Sequence, residues 1–315
     1  MPFSHHSHSG QFCGHATNTL EEMVQTAIGH KMTVFALTEH MPRDREEDLY
    51  PEEVSTPRRF AVSWIWQLKR WSQIETWMTP AKLITTFDAY YHEAVRLREL
   101  YAGQIKILIG MEIDWIRPSS RQYIEGLLLK YQFDLFIGSV HHVHTIPIDY
   151  HAQMYVKARE QSGGTDENLF EDYFEAQYEM LEALKPPIVG HFDLIRLKSD
   201  DPERSFDQWP GVWRAINRNL EYIAGYGGLL ELNSASLRKG MSEPYPKAEI
   251  CKVKPPFWMK LRISHNADKV EIDCTARLRW TNTILLGVLK ARWSIHLVGR
   301  QPWHRSSRTE LREGP

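Results

Sequence analysis

The 315-residue sequence holds little that would tie it to a membrane, an oxidising compartment or a polyanion. No apolar run reaches the roughly 18 residues of a membrane span. The chain turns polar at Ser4, so it does not open on the apolar stretch of a signal peptide. Its three cysteines, Cys13, Cys251 and Cys274, are too few and too scattered for a disulfide framework, which favours a reducing compartment. A formal net charge of -2 gives no broad attraction to nucleic acid or to a membrane surface. These absences make a cytoplasmic protein the expectation, with neither nucleic acid nor membrane as partner.

Hydrophobic residues at 42% and charged residues at 25% are ordinary for a globular protein, and a chain this long can bury a large core. Two counts are less ordinary, 15 histidines and 11 tryptophans. Four of the histidines, His5, His6, His8 and His15, fall in the opening MPFSHHSHSGQFCGHA, with Cys13 ahead of the last. A purification tag is one explanation. A metal site is the other, and it draws on the spacing. On an extended strand the rings of His6 and His8 point to one face and can share an ion. His5 faces the opposite way and is left out of that set.

The hydrophobic periodicity alternates between two kinds of element. TLEEMVQTAIGH (19–30) predicts a helix, with Thr19 as cap and Glu22 three residues on. Residues 87–102, 121–131, 167–184 and 213–227 predict further helices. Between them, MTVFALTEH, IKILIGMEIDW, FDLFIGSVHHV, PIVGHFDLI and GLLELNSA are short apolar runs that predict buried strands. Strands alternating with helices imply parallel β/α units, and this many of them suggest a barrel.

The polar residues concentrate at the strand ends, which read LTEH, GMEID, GSVHHV, VGHFD and LELN. In β/α folds these ends converge on the active site. A lone histidine is more often structural, but His40, Glu112, His141 and His191 on successive strand ends are not a lone histidine. With His6, His8 and His15 they form a set of imidazoles plus a carboxylate that suits zinc, iron or manganese. Seven ligands are too many for one tetrahedral ion. A glutamate that can bridge points to a multinuclear site, the kind that hydrolyses phosphate esters.

HSHSGQFCGHA, FALTEHMPR, GMEID, FIGSVHHV, VGHFDLIR and LELNSASLRKG together resemble the PHP superfamily, and within it the monofunctional histidinol-phosphate phosphatases of the fungal type. The resemblance covers roughly residues 3–53 and 79–251. It implies an α/β fold, a distorted (β/α)7 barrel, around a trinuclear centre of divalent transition metals. Carried over, His6, His8 and the bridging Glu112 would hold one ion, Glu112, His141 and His191 a second, and His15 and His40 the third. His141 is chosen over His142 because the family's ligand directly follows GSV. The implied reaction is metal-dependent hydrolysis of L-histidinol phosphate to L-histidinol and phosphate, a phosphoric monoester hydrolysis in histidine biosynthesis. Arg196 and Arg238 are the candidates for gripping the phosphate, since a guanidinium fork suits its oxygens. Asp193 and Asn233 are candidates for orienting ligands, and Lys239 is left as a solvated charge.

Two stretches depart from the family. Residues 54–78 interrupt what should be a continuous run, and residues 252–315 replace the family's ending, so the barrel is expected over 1–251 with one insert. Both stretches are rich in Trp and basic residues. A lid, an aromatic–basic patch and translated non-coding sequence are three readings of them. In RISHNADKV, His265 aligns with a third-metal ligand, but Ile263 occupies the place of a family aspartate and Asp268 is out of register. The alternatives to the leading reading are therefore another PHP phosphoesterase, or a PHP barrel impaired by the missing aspartate.

Overall fold

The computed structural model describes residues 3–14, 16–50, 53 and 78–253. The first helix, α1 (Leu20–Gly29), starts as its sequence predicts. The Thr19 hydroxyl accepts from the Glu22 N–H at 3.2 Å, and the Glu22 carboxylate accepts from the Thr19 N–H at 2.8 Å. Such a reciprocal cap stabilises a helix by about 1 kcal/mol. The helices that follow are α2 (Pro80–Leu100), α3 (Ser120–Lys130), α4 (Ala152–Gln161), α5 (Asp166–Leu184), α6 (Pro210–Tyr226), α7 (Ala235–Arg238) and α8 (Ala248–Cys251). Helix α2 begins earlier than its periodicity suggests, because Thr79 caps it and Pro80 fits the first helical position. Helix α4 was not apparent from the sequence pattern.

The strands are β1 (Phe3–Ser4), β2 (Val34–Leu37), β3 (Lys106–Asp114), β4 (Leu135–Ser139), β5 (His142–Val143), β6 (Ile146–Pro147), β7 (Ile188–Val189) and β8 (Leu229–Leu230). Six of them form one parallel sheet in the order β1-β2-β3-β4-β7-β8, while β5 and β6 form a separate antiparallel hairpin. The fold is α/β. Of the seven strands expected for the barrel, the described residues supply six, and residues 254–315 lie outside them.

Strand β3 organises the sheet. Its first part pairs with β2, from Val34 opposite Lys106 to Leu37 opposite Ile109, and its second part with β4, from Gly110 opposite Leu135 to Asp114 opposite Ser139. That offset staggers the strands, as closure toward a barrel requires. Gly110 sits where the pairing changes over, and a Cβ there would lie 2.5 Å from the Leu135 carbonyl oxygen. From α2 the buried Tyr90 hydroxyl reaches the carbonyls of Leu37 (2.6 Å) and Gly110 (2.7 Å), locking helix to sheet. Helices α5 and α6 are joined through a buried amide pair. Asn219 donates to the Phe174 carbonyl (2.7 Å) and to Gln177 (3.1 Å), and Gln177 donates to the Phe192 carbonyl (2.9 Å). Satisfied amides of this kind cost little to bury and fix the packing register.

The expected strand PIVGHFDLI is mostly something else. Only Ile188 and Val189 are strand, the backbone turns at His191 (φ 20°), and a 3-10 turn follows over Leu194–Lys198. The cause is that the His191 N–H donates to Glu231 Oε2 (2.9 Å) rather than to a neighbouring strand. No helix among the described residues is long and apolar enough to cross a membrane. Of the two atypical stretches, only Met78, Lys252 and Val253 are among the described residues. Met78 N–H donates to the Glu53 carbonyl at 3.0 Å, so the chain re-enters the fold where it left it.

Candidate metal centre

Glu112 ends the apolar part of β3 with 1% of its surface exposed, and its two oxygens face different histidines. Oε1 accepts from Ser139 Oγ (2.7 Å) and lies 3.2 Å from His141 Nε2 and 2.9 Å from His191 Nε2. Oε2 lies 2.9 Å from His40 Nδ1, 3.2 Å from His8 Nε2 and 3.3 Å from His6 Nε2. It makes no hydrogen bond among the described residues. His6 Nε2 and His8 Nε2 are 3.0 Å apart, as two rings on one face of an extended segment should be. The close approach of β7 to β4 depends on Gly190, whose Cβ would sit 2.5 Å from Ser139 Oγ.

The far nitrogens of these rings are held by carboxylates. Glu231 Oε1 lies 2.9 Å from His6 Nδ1, Glu39 Oε2 lies 3.5 Å from His8 Nδ1, and Asp149 Oδ2 lies 3.2 Å from His141 Nδ1. A carboxylate behind an imidazole fixes its tautomer and makes it a better ligand. None of the three carboxylates had been singled out from the sequence. Asn233, which had, donates to Glu231 Oε1 (2.9 Å) and so acts one step further back. Asp149 is delivered by the β5–β6 hairpin, whose turn residues His144 (φ 53°) and Thr145 (φ 64°) are both left-handed. The His144 ring is held there by Ser162 (3.0 Å) and Asp172 (2.8 Å).

The electrostatics follow from this arrangement. Burial pushes the Glu112 carboxyl up, but His6, His40 and His141 outweigh it and hold it well below the usual carboxylate range. Burial pulls His6 down, yet Glu112 and Glu231 outweigh that and raise it to about 10. Glu231 is correspondingly lowered to about 2, against its burial, by His6 above all. A proton on one of these rings would offset the charge of the buried carboxylate. Divalent ions on either side of Glu112 would do the same through the ring lone pairs, so the donor set fits metal.

Of the two consecutive histidines, His141 faces Glu112, while His142 turns to Asp114 (3.0 Å). His5 turns away, with its ring 6.1 Å from that of Phe3. His15 and His265 lie outside the described residues, as do Ile263 and Asp268. The expected phosphate grip of Arg196 is corrected by the structure. Arg196 is 1% exposed, and its guanidinium is spent inside the protein. Nε donates to Asp193 (3.0 Å), and one terminal nitrogen donates to the carbonyls of Glu243 (2.8 Å) and Pro244 (2.7 Å). Its partner Asp193 also accepts from the Lys247 N–H (3.0 Å), so Asp193 braces a loop rather than a ligand. Arg238 is exposed, with one long contact to Ser234 Oγ at 3.4 Å. Lys239 is more than a solvated charge, because it helps to hold Asp149 in its ionised form.

Fold and site together define an α/β protein built around a buried carboxylate and a ring of imidazoles. The sequence model of the PHP domain matches residues 4–235, and the chain belongs to the PHP-domain family. It is 41% identical over 268 residues to the "Probable histidinol-phosphatase" of Schizosaccharomyces pombe, a match spanning 85% of this chain and 80% of that one. It is 34% identical over 275 residues to the histidinol-phosphatase of Saccharomyces cerevisiae, spanning 79% and 77%. Among solved structures, the histidinol phosphate phosphatase of Lactococcus lactis, in complex with zinc, L-histidinol and phosphate, superposes with a TM-score of 0.54. It is 17% identical and the match covers 79% of each chain, a likeness of fold.

Proposed function

We propose that the chain is a metal-dependent histidinol-phosphatase, a cytoplasmic enzyme of histidine biosynthesis that hydrolyses L-histidinol phosphate to L-histidinol and phosphate. The observation that carries this reading is the two-sided environment of Glu112, with His141 and His191 on Oε1 and His6, His8 and His40 on Oε2. The relatives named above lend it the substrate. Bound divalent ions would supply an ionised water as nucleophile and neutralise phosphoryl oxygens. His6, His8 and Glu112 are assigned to one ion, Glu112, His141 and His191 to a second, and His40 with His15 and His265 to a third. Glu231, Glu39 and Asp149 hold the rings in place. Arg238, exposed and uncommitted, is assigned to the phosphate.

The test is phosphate release from L-histidinol phosphate by the purified full chain after reconstitution with zinc or manganese, alongside elemental analysis. Two or more ions per chain and turnover of this ester above other small phosphomonoesters are expected. A chain that takes up no metal, or prefers another ester, ends the reading. Arg238→Ala should raise KM with kcat little changed, as for a group that grips the ester in ground and transition states alike.

A second reading has one specific observation in its favour, Ile263 at the aligned place of an anionic ligand. On that reading the barrel spans 1–251 around an insert at 54–78, and 252–315 is a substitute ending that leaves the first ion short of a ligand. Replacing 252–315 with a family-type ending should then raise turnover and metal content together. Equal turnover by the unaltered chain would reject it.

A further inference from the structure

The turn after His8 carries a side chain that the reaction leaves unused. Ser9 is pinned to Glu39 Oε1 through both its N–H (2.6 Å) and its hydroxyl (2.7 Å), and the Cys13 N–H donates to the Ser9 carbonyl (2.9 Å). Glu39 immediately precedes His40, so this one carboxylate ties the 9–13 turn to the end of β2. As a result Cys13, 7% exposed, stands beside two of the histidines. One ligand atom each from His8, Cys13 and His40 lie within 4.8 Å of one another. The rings of His8 and His40 stack at 4.1 Å with 12° between their planes. A second observation points to a cation there. Glu112 Oε2, buried and without a hydrogen bond among the described residues, is directed at the same two rings, 2.9 Å from His40 and 3.2 Å from His8.

We infer that Cys13 is a metal ligand, a thiolate that joins His40 on the third ion, beside the His8 that serves the first, at the outer edge of the centre. The inference rests on the reading of the strand-end cluster as a metal centre. Zn–S and Zn–N bonds of about 2.3 and 2.0–2.1 Å bring ligand atoms closer than the present spread, so small side-chain rotations complete the site. Binding exchanges the thiol proton for the ion and releases it to solvent. A soft sulfur ligand at this position selects thiophilic divalent ions, zinc and cobalt(II) over manganese or magnesium. The ligand set is then mixed, with nitrogen and oxygen around Glu112 and one sulfur at the rim.

The experiment uses the metal-free full chain titrated with cobalt(II), with bound cobalt counted by elemental analysis. The expected result is a sulfur-to-cobalt charge-transfer band in the near ultraviolet. The double variant Cys251→Ser/Cys274→Ser, with Cys13 as its only cysteine, keeps the band at full intensity, and Cys13→Ser loses it. The double variant decides the matter even if Cys13→Ser does not fold. Bound cobalt with no such band in the unaltered chain, or a band lost in the double variant, overturns the assignment while leaving the centre itself intact. No bound cobalt at all overturns both the assignment and the metal reading on which it rests.

Discussion

Two buried clusters do different things, one around Glu112 on β3 and one around Asp193, two residues beyond the His191 that belongs to the first. Around Glu112, five imidazoles direct nitrogens at one carboxylate, and Oε2 makes no hydrogen bond among the described residues. Around Asp193, a single guanidinium spreads its donors over Asp193 and the carbonyls of Glu243 and Pro244, leaving nothing directed outward. In the first cluster, imidazole nitrogens converge on both oxygens of one carboxylate. In the second, the guanidinium's donors are taken up inside the protein, while Asp193 Oδ1 makes no hydrogen bond among the described residues. A buried polar group becomes a site when its partners converge lone pairs, and becomes a strut when they exhaust its donors.

The sharpest way to break the first cluster is Glu112→Gln. A glutamine keeps the shape but offers one neutral oxygen where two ions need an anion. Outer partners of metal ligands cost about 10–100-fold when lost, and a bridging ligand should cost more than the upper end of that range. Phosphatase activity and metal content should both collapse while the far-ultraviolet circular dichroism stays native. Activity that survived would remove Glu112 from the chemistry.

Arg196→Ala breaks the second cluster and should act on stability instead. Removing one partner of a buried ion pair destabilises by about 3–5 kcal/mol, because Asp193 is left charged and buried. Chemical denaturation would register that loss. The folded fraction should retain its KM for the phosphate ester, and a raised KM at native stability would return Arg196 to a role in phosphate binding. Glu231→Gln is intermediate, since it leaves every ligand in place but loosens His6. A loss of about 10–100-fold in metal affinity is expected, read by competition with a chromophoric chelator.

The pH dependence separates the clusters without mutation. His6 has a folded pKa of about 10 against a reference of 6.5. A raised pKa stabilises the metal-free fold fully below about pH 6.5, and that contribution is lost as pH climbs through about 10. Metal needs the same ring deprotonated. The Tm of the metal-free chain should therefore fall above about pH 6.5, while the gain in Tm on adding zinc grows between about pH 6.5 and 8.5. A zinc-induced gain that shrank over that interval would mean that no ring proton is displaced.

Much of this was legible in the sequence, for stated reasons. Thr19 and Glu22 announce α1 because a reciprocal cap is local chemistry. The histidines and Glu112 stand out because an apolar strand that stops on a metal-binding residue is a local pattern too. Asp149 was not legible, since its position depends on a hairpin through His144 and Thr145, residues that are not the usual Asn-Gly of such turns. Glu231 could have been found, because it lies two residues before Asn233 in LELN, at a strand end like the others. Arg196 misled because its sequence neighbourhood looks like a phosphate grip, whereas burial decides its role and burial is a tertiary property. The spacing of Asp193 and Arg196, three apart on a tight turn, was the available hint.

The comparison also says where a large change should do almost nothing. Glu53, the last described residue before the insert, sits in a buried ion-pair cluster like that of Arg196. Its carboxylate pairs with Arg43 and accepts from the Tyr50 N–H (2.8 Å), and the Arg43 guanidinium lies over the Tyr50 ring at 4.7 Å. Its carbonyl accepts the Met78 N–H at 3.0 Å, so the last residue of the insert is tied to the residue that precedes its first. An insert that contributes nothing to the fold acts on stability only through the entropy of closing a loop. Replacing residues 54–77 by three glycines is a roughly eightfold shortening, and each halving of a flexible loop returns about 0.6 kcal/mol. The shortened chain should therefore be as stable as the original or more stable by up to about 2 kcal/mol, with metal content and KM unchanged. A fall in Tm, or a loss of metal, would show instead that residues 54–77 reach the centre, and the reading of that stretch as an insert would give way to that of a lid.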